Sequence, residues 1–90
     1  TRIAINLNIG NLYYASDQYL LSLDFFKKAF ESAKKLERKN FIAHANALMC
    51  RTYLALGDMF KAVKNAQLAA EYMSEIDNAP GRQINLLNFK

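Results

Sequence analysis

Ninety residues, of which 52% are hydrophobic and 22% charged, form one domain at most, too apolar for intrinsic disorder and too short for a multi-domain enzyme. The single cysteine, Cys50, excludes a disulfide scaffold and fits a reducing compartment, and no apolar run approaches the roughly 18 residues of a membrane span. Twelve basic side chains against 8 acidic ones leave +4, enough to raise the question of acidic partners and too little to establish one.

With only 3 Gly and 1 Pro, and few Val or Thr, the chain argues for long helices rather than strands. Turn signals at Ser16-Asp17-Gln18, Lys39-Asn40, Gly57-Asp58 and Asp77-Asn78-Ala79-Pro80-Gly81 divide it. They predict helices over about 2–15, 18–38, 41–56 and 59–76, with a fifth beginning near Pro80, a residue that suits a first helical turn. Asp17 and Asp58 are the expected N-caps. In the second segment Leu23, Phe26, Ala29, Phe30, Ala33 and Leu36 fall on one side at about 100° per residue, opposite Lys27, Lys28, Lys34, Lys35, Arg38 and Lys39. The fourth carries an apolar stripe of mostly small residues, Met59, Ala62, Val63, Ala66, Ala69, Ala70 and Met73, suited to close approach of two helix axes.

Sliding the chain by 40 residues matches Asn6 with Asn46, Gly10 with Cys50, Tyr13 with Tyr53, Asp17 with Gly57, Ser22 with Ala62, Leu23 with Val63 and Ala29 with Ala69. Small residues in the matched helices mark where paired helices cross, and the tyrosine fills the space beside them. The first copy reads Ile9-Gly10-Asn11-Leu12-Tyr13-Tyr14, then Tyr19, Ser22, Phe26 and Ala29. The second reads Met49-Cys50-Arg51-Thr52-Tyr53, then Leu56-Gly57-Asp58, Ala62, Ala66 and Ala69.

These runs resemble the tetratricopeptide repeat (TPR) family, in a variant with a 40-residue period instead of the usual length of about 34. The family's early aromatic is replaced by Asn6 and Asn46, its second-helix aromatic is kept as Phe26 but reduced to Ala66, and its closing Pro is missing. The resemblance implies an all-α fold, an α-α superhelix or TPR-like solenoid of two helix hairpins plus the start of a third. Repeat 1 would span 1–40, repeat 2 41–79, and 80–90 would be the first helix of a truncated third repeat. Neither end resembles a polar cap, so apolar surface is expected at both. In isolation the piece should pair with copies of itself or fray at its edges.

Nothing in the residue types suggests an enzyme, a cofactor or a metal. His44 and Cys50 lie six apart, on different sides of a helix, and no Gly-rich phosphate loop or cluster of metal ligands occurs. By resemblance, first helices line a concave groove that holds a partner protein or peptide. Its expected contacts are Asn8, Asn11 and Tyr14 from copy one and His44, Leu48 and Arg51 from copy two. Ala4, Leu7, Ala15, Ala47, Leu54 and Ala55 would lie along the same side. The amides can bond a peptide backbone and Arg51 can pair with a carboxylate. Leu7 stands where the chaperone-tail subgroup carries a clamp lysine, which disfavours that ligand.

The function expected is therefore that of a protein–protein interaction module, part of an intracellular scaffold or adaptor in the cytoplasm or nucleus. A peptide-sensing regulator is the alternative within that class. The basic stripe Lys27, Lys28, Lys34, Lys35, Arg38 and Lys39 raises nucleic acid or an anionic surface as a third reading. It is disfavoured, because Glu31 is spaced for i,i+4 links to Lys27 and Lys35, no aromatic residue is expected on that face for base stacking, and cations suit a helix C-terminus.

Overall fold

The computed structural model describes residues 1–77. Among them are four α-helices and no strand: α1 (Arg2–Ala15), α2 (Tyr19–Lys35), α3 (Lys39–Leu56) and α4 (Met59–Asp77). The expected helix at 80–90 lies outside the described residues. Helix α1 packs on α2 and α3 on α4, forming two hairpins, and α3 also packs on α2, whereas α1 and α3 touch only lightly.

The hairpin turns explain why the 40-residue offset is structural. Gln18 N–H donates to the Tyr13 carbonyl at 2.9 Å and Asp17 N–H to Tyr14 at 3.0 Å. Forty residues on, Asp58 N–H donates to Tyr53 at 2.9 Å and Gly57 N–H to Leu54 at 3.1 Å. Both are helix ends closed by a residue with left-handed backbone, Asp17 at φ 63° and Gly57 at φ 80°. The connection from α2 to α3 repeats the same pair of bonds, with Glu37 at φ 53°.

This geometry corrects two expectations. Asp17 does not cap α2. It is the left-handed residue that ends the preceding turn, and its carboxylate accepts from the Tyr19 hydroxyl at 3.0 Å, while the N-cap position falls to Gln18 with no side-chain bond. Asp58 does cap α4, accepting from the Lys61 N–H at 3.1 Å. Leu36 is exposed rather than part of the apolar face, because α2 ends at Lys35 and the helical phase stops there.

Inside the first hairpin, Gly10 is buried where α1 crosses α2. A Cβ there would lie 2.5 Å from the Phe26 ring, so the absence of a side chain at 10 is what lets Phe26 bury completely. Ser22, also fully buried, donates its hydroxyl to the Gly10 carbonyl at 2.9 Å and ties the helices at that crossing. Its counterpart Ala62 is equally buried. The core runs from Ile3 and Leu7 through Leu23, Phe26, Ala29 and Ala33 to Ile42, Ala45, Met49, Tyr53 and Ala62. Asn46 is buried with no hydrogen-bond partner for either side-chain polar atom, whereas Asn6, forty residues earlier, is only half-buried.

The stripe on α4 is largely bare. Of its members only Ala62 is buried, Ala69 is half-buried, and Met59, Val63, Ala66, Ala70 and Met73 are exposed, as is Phe60 beside them. No described helix lies over that side.

Candidate partner-binding face

Periodicity in α1 and α3 sets side chains 40 residues apart next to each other across the light α1–α3 contact. The Arg51 guanidinium donates to the Asn11 Oδ1 at 2.9 Å and lies 3.8 Å from the centre of the Tyr14 ring. Asn11 and Tyr14 are half-buried and Arg51 is exposed. Arginine has five N–H donors, so one bond to Asn11 leaves others for a ligand carboxylate. The ring beneath the guanidinium adds a cation–π attraction that holds its plane in place.

Two residues that the sequence did not assign to this face complete the cluster. Tyr19, at the start of α2, meets Tyr14 edge-on at 5.2 Å, and its hydroxyl is held by Asp17. That hydrogen bond, partial burial and the carboxylate's charge together raise the Tyr19 phenol above its ordinary value of 10.0. The spacing Tyr14 to Tyr19 spans a turn, and helical phase alone cannot relate residues on its two sides.

The remaining expected contacts are not joined to this cluster. Asn8 and His44 are exposed and no described residue bonds either side chain. Leu48 is half-buried and packs against the core. Ala15, Ala47, Leu54 and Ala55 are exposed and Ala4 is half-buried. Leu7 does not belong to the face at all: it is buried as part of the core.

The basic stripe is altered in three ways. Its six cations are all exposed, but Lys39 begins α3 and Arg38 lies in the turn, so they do not share one helix. Glu31 makes no ion pair with Lys27 or Lys35; among the described residues the ion pairs are Lys39–Glu75 at 3.6 Å and Lys61–Asp58 at 3.9 Å. Aromatic rings do reach this face. Lys28 lies 4.7 Å from the Phe25 ring centre, Lys34 5.2 Å from Phe30 and Arg38 5.2 Å from Phe41. Long aliphatic stems carry the charges over rings that are rooted nearer the core.

Among the described residues no group of His, Cys, Asp and Glu could hold a metal ion, and no helix is long and apolar enough to cross a membrane. No protein-family model matches the chain, and no curated protein or solved structure matches it either.

Proposed function

We propose that this chain is a protein–protein interaction module, a stretch of TPR-like helical repeat from an intracellular scaffold or adaptor. It holds a peptide or protein segment across the face shared by α1 and α3. The observation that carries this reading is the link between Arg51 and the pair Asn11 and Tyr14. It joins two helices at equivalent repeat positions and presents an exposed guanidinium with spare donors. An acidic side chain or a C-terminal carboxylate would pair with Arg51, and Asn8 and Asn11 would bond the ligand backbone. A peptide-sensing regulator would use the same face.

Nucleic-acid binding has weaker support. The cations that would carry it are divided between two helices and a turn, and three of them already rest on rings of the same chain.

Selection from a random peptide library on the full chain, followed by titration of the enriched peptides, tests the proposal. Enriched sequences should carry a carboxylate. Arg51→Glu or Asn11→Ala should weaken them by about tenfold or more, near 1.4 kcal/mol, with unchanged helical circular dichroism. No enrichment, or affinities indifferent to both substitutions, would remove the assignment. Strong, salt-sensitive binding to RNA or DNA instead would transfer the function to the basic surface.

A further inference from the structure

The two hairpins hold their second helix unequally. Helix α2 packs on both α1 and α3 and buries Ser22, Leu23, Phe26, Ala29 and Ala33. Among the described residues α4 packs substantially on α3 alone; it buries Ala62, while Asn65, Leu68, Ala69, Tyr72 and Ile76 are half-buried. Two fastenings of the first hairpin are missing from the second. Ala62 has no hydroxyl to bond across the crossing as Ser22 does to Gly10, and Ala66 is exposed where Phe26 is completely buried. The Lys39–Glu75 ion pair between α3 and α4 lies in solvent, where such pairs contribute little.

The α3–α4 contact also encloses an unsatisfied amide. Gly10 faces Phe26 across the first hairpin, and Asn6 stands one turn before Gly10, on the same side of α1. Asn46 stands one turn before Cys50 and is therefore on the side of α3 that meets α4. Asn6 is half-buried, whereas Asn46 is 1% exposed with no partner for either polar atom. A buried amide without bonds opposes closure, and water relieves that cost once the contact opens. The opening that sacrifices the least burial and hydrates Asn46 is the departure of α4.

We propose that α4 is a detachable helix. It opens from α3 as one cooperative unit, Asn46 gaining water, while α1, α2 and α3 stay folded together. The open form uncovers the inner side of α3 and keeps the Asn11–Tyr14–Arg51 cluster, which lies entirely on α1 and α3. This device is independent of what the ligand face binds.

Native-state hydrogen exchange of the full chain in low urea, read at single amides, tests it. Relative to their intrinsic rates, amides of α4 should exchange at least about tenfold faster than the slowest amides of α1, α2 and α3. Their opening should also depend less steeply on urea, because it exposes less surface than global unfolding. Asn46→Leu keeps the branched shape and removes the polar atoms. It should slow exchange in α4 by about tenfold and slow the slowest amides by the same factor, since position 46 is hydrated in both the open and the unfolded state. Phe26→Leu should speed the slowest amides of α1 and α2 and leave α4 unchanged, because the open form still encloses position 26. If Leu at 46 prevents folding by circular dichroism, the smaller Asn46→Val takes its place. Amides of α4 that exchange only with global unfolding, as protected as those of α2, overturn the proposal. So does a folded variant at position 46 in which α4 exchanges as before or faster, because the amide would then be bonded by water in the closed form. Equal acceleration of α4 and α2 by Phe26→Leu overturns it as well.

Discussion

The two hairpins share a turn and a crossing but differ in what lies over their second helix. Their turns have the same bonds at matched residues, and Ser22 and Ala62 are buried alike where the helices cross. Beyond that they diverge: Leu23 is 4% exposed and Val63 51%. Turn and crossing depend on contacts within one hairpin, so each copy builds them alone. The outer face of a second helix depends on a neighbour, and sequence records that dependence as size. Large side chains stand where α3 covers α2, and small ones where no described helix covers α4.

The largest test of this contrast is truncation on the two second helices. Phe26→Ala should cost about 3–5 kcal/mol, because it removes a fully buried ring from the core at the α1–α2 crossing. Val63→Ala should change stability by no more than about 0.5 kcal/mol, as expected of an exposed site. Urea denaturation measures both. Equal losses would mean that the α4 face is covered and would break the comparison.

The next effect concerns the α1–α2 crossing. Alanine is ordinarily the better helix former than glycine by about 1 kcal/mol. At Gly10 the substitution should nevertheless destabilise by about 1–3 kcal/mol, since the new methyl group meets a ring with nowhere to move. Phe26→Leu in the same chain should recover part of the loss, giving a double variant more stable than the sum of the two changes. At the matched positions of the second hairpin the sizes are reversed, with Cys50 in place of Gly10 and Ala66 in place of Phe26. Cys50→Ala should therefore cost within about 1 kcal/mol. A stabilising Gly10→Ala would show that Phe26 can shift.

These contrasts also mark what the sequence could reveal. Four helices and the pairing of Asn11, Tyr14 and Arg51 on one face were legible, because helical phase and a fixed offset determine which residues of repeated helices share a side. Leu36 was misplaced because phase ends with the helix, and Leu7 because the groove and core sides of α1 lie close in angle. Tyr19 and Asp17 were not assigned to the face because the left-handed backbone of Asp17 redirects the chain between α1 and α2. The rings beneath Lys28, Lys34 and Arg38 were missed because flexible stems carry charges away from the direction of their Cα–Cβ bonds. Asn46 stood out only as the replacement of an early aromatic; its burial was not legible, since polarity predicts exposure and this amide is buried without a partner.

The smallest effects lie in the three turns, where backbone conformation is shared and only one residue is suited to it. Gly57, Asp17 and Glu37 all have positive φ, and for a side-chain-bearing residue that conformation costs about 1 kcal/mol or more. A Cβ at Gly57 would have no atom within 4 Å, so Gly57→Ala isolates the backbone penalty, with an expected loss of about 1–2 kcal/mol. Glu37→Gly should work in the opposite direction. Its carboxylate forms no ion pair among the described residues, and the relief at φ 53° outweighs the added freedom of the unfolded chain, for a gain of at most about 1 kcal/mol. Asp17→Gly should gain less than Glu37→Gly, because the same change removes the acceptor of the Tyr19 hydroxyl. Thermal denaturation of the three variants orders them. If Asp17→Gly and Glu37→Gly were equally stabilising, the Asp17–Tyr19 bond would add nothing to folding, and the Tyr14–Tyr19 edge contact alone would hold the ring beside the Arg51 cluster.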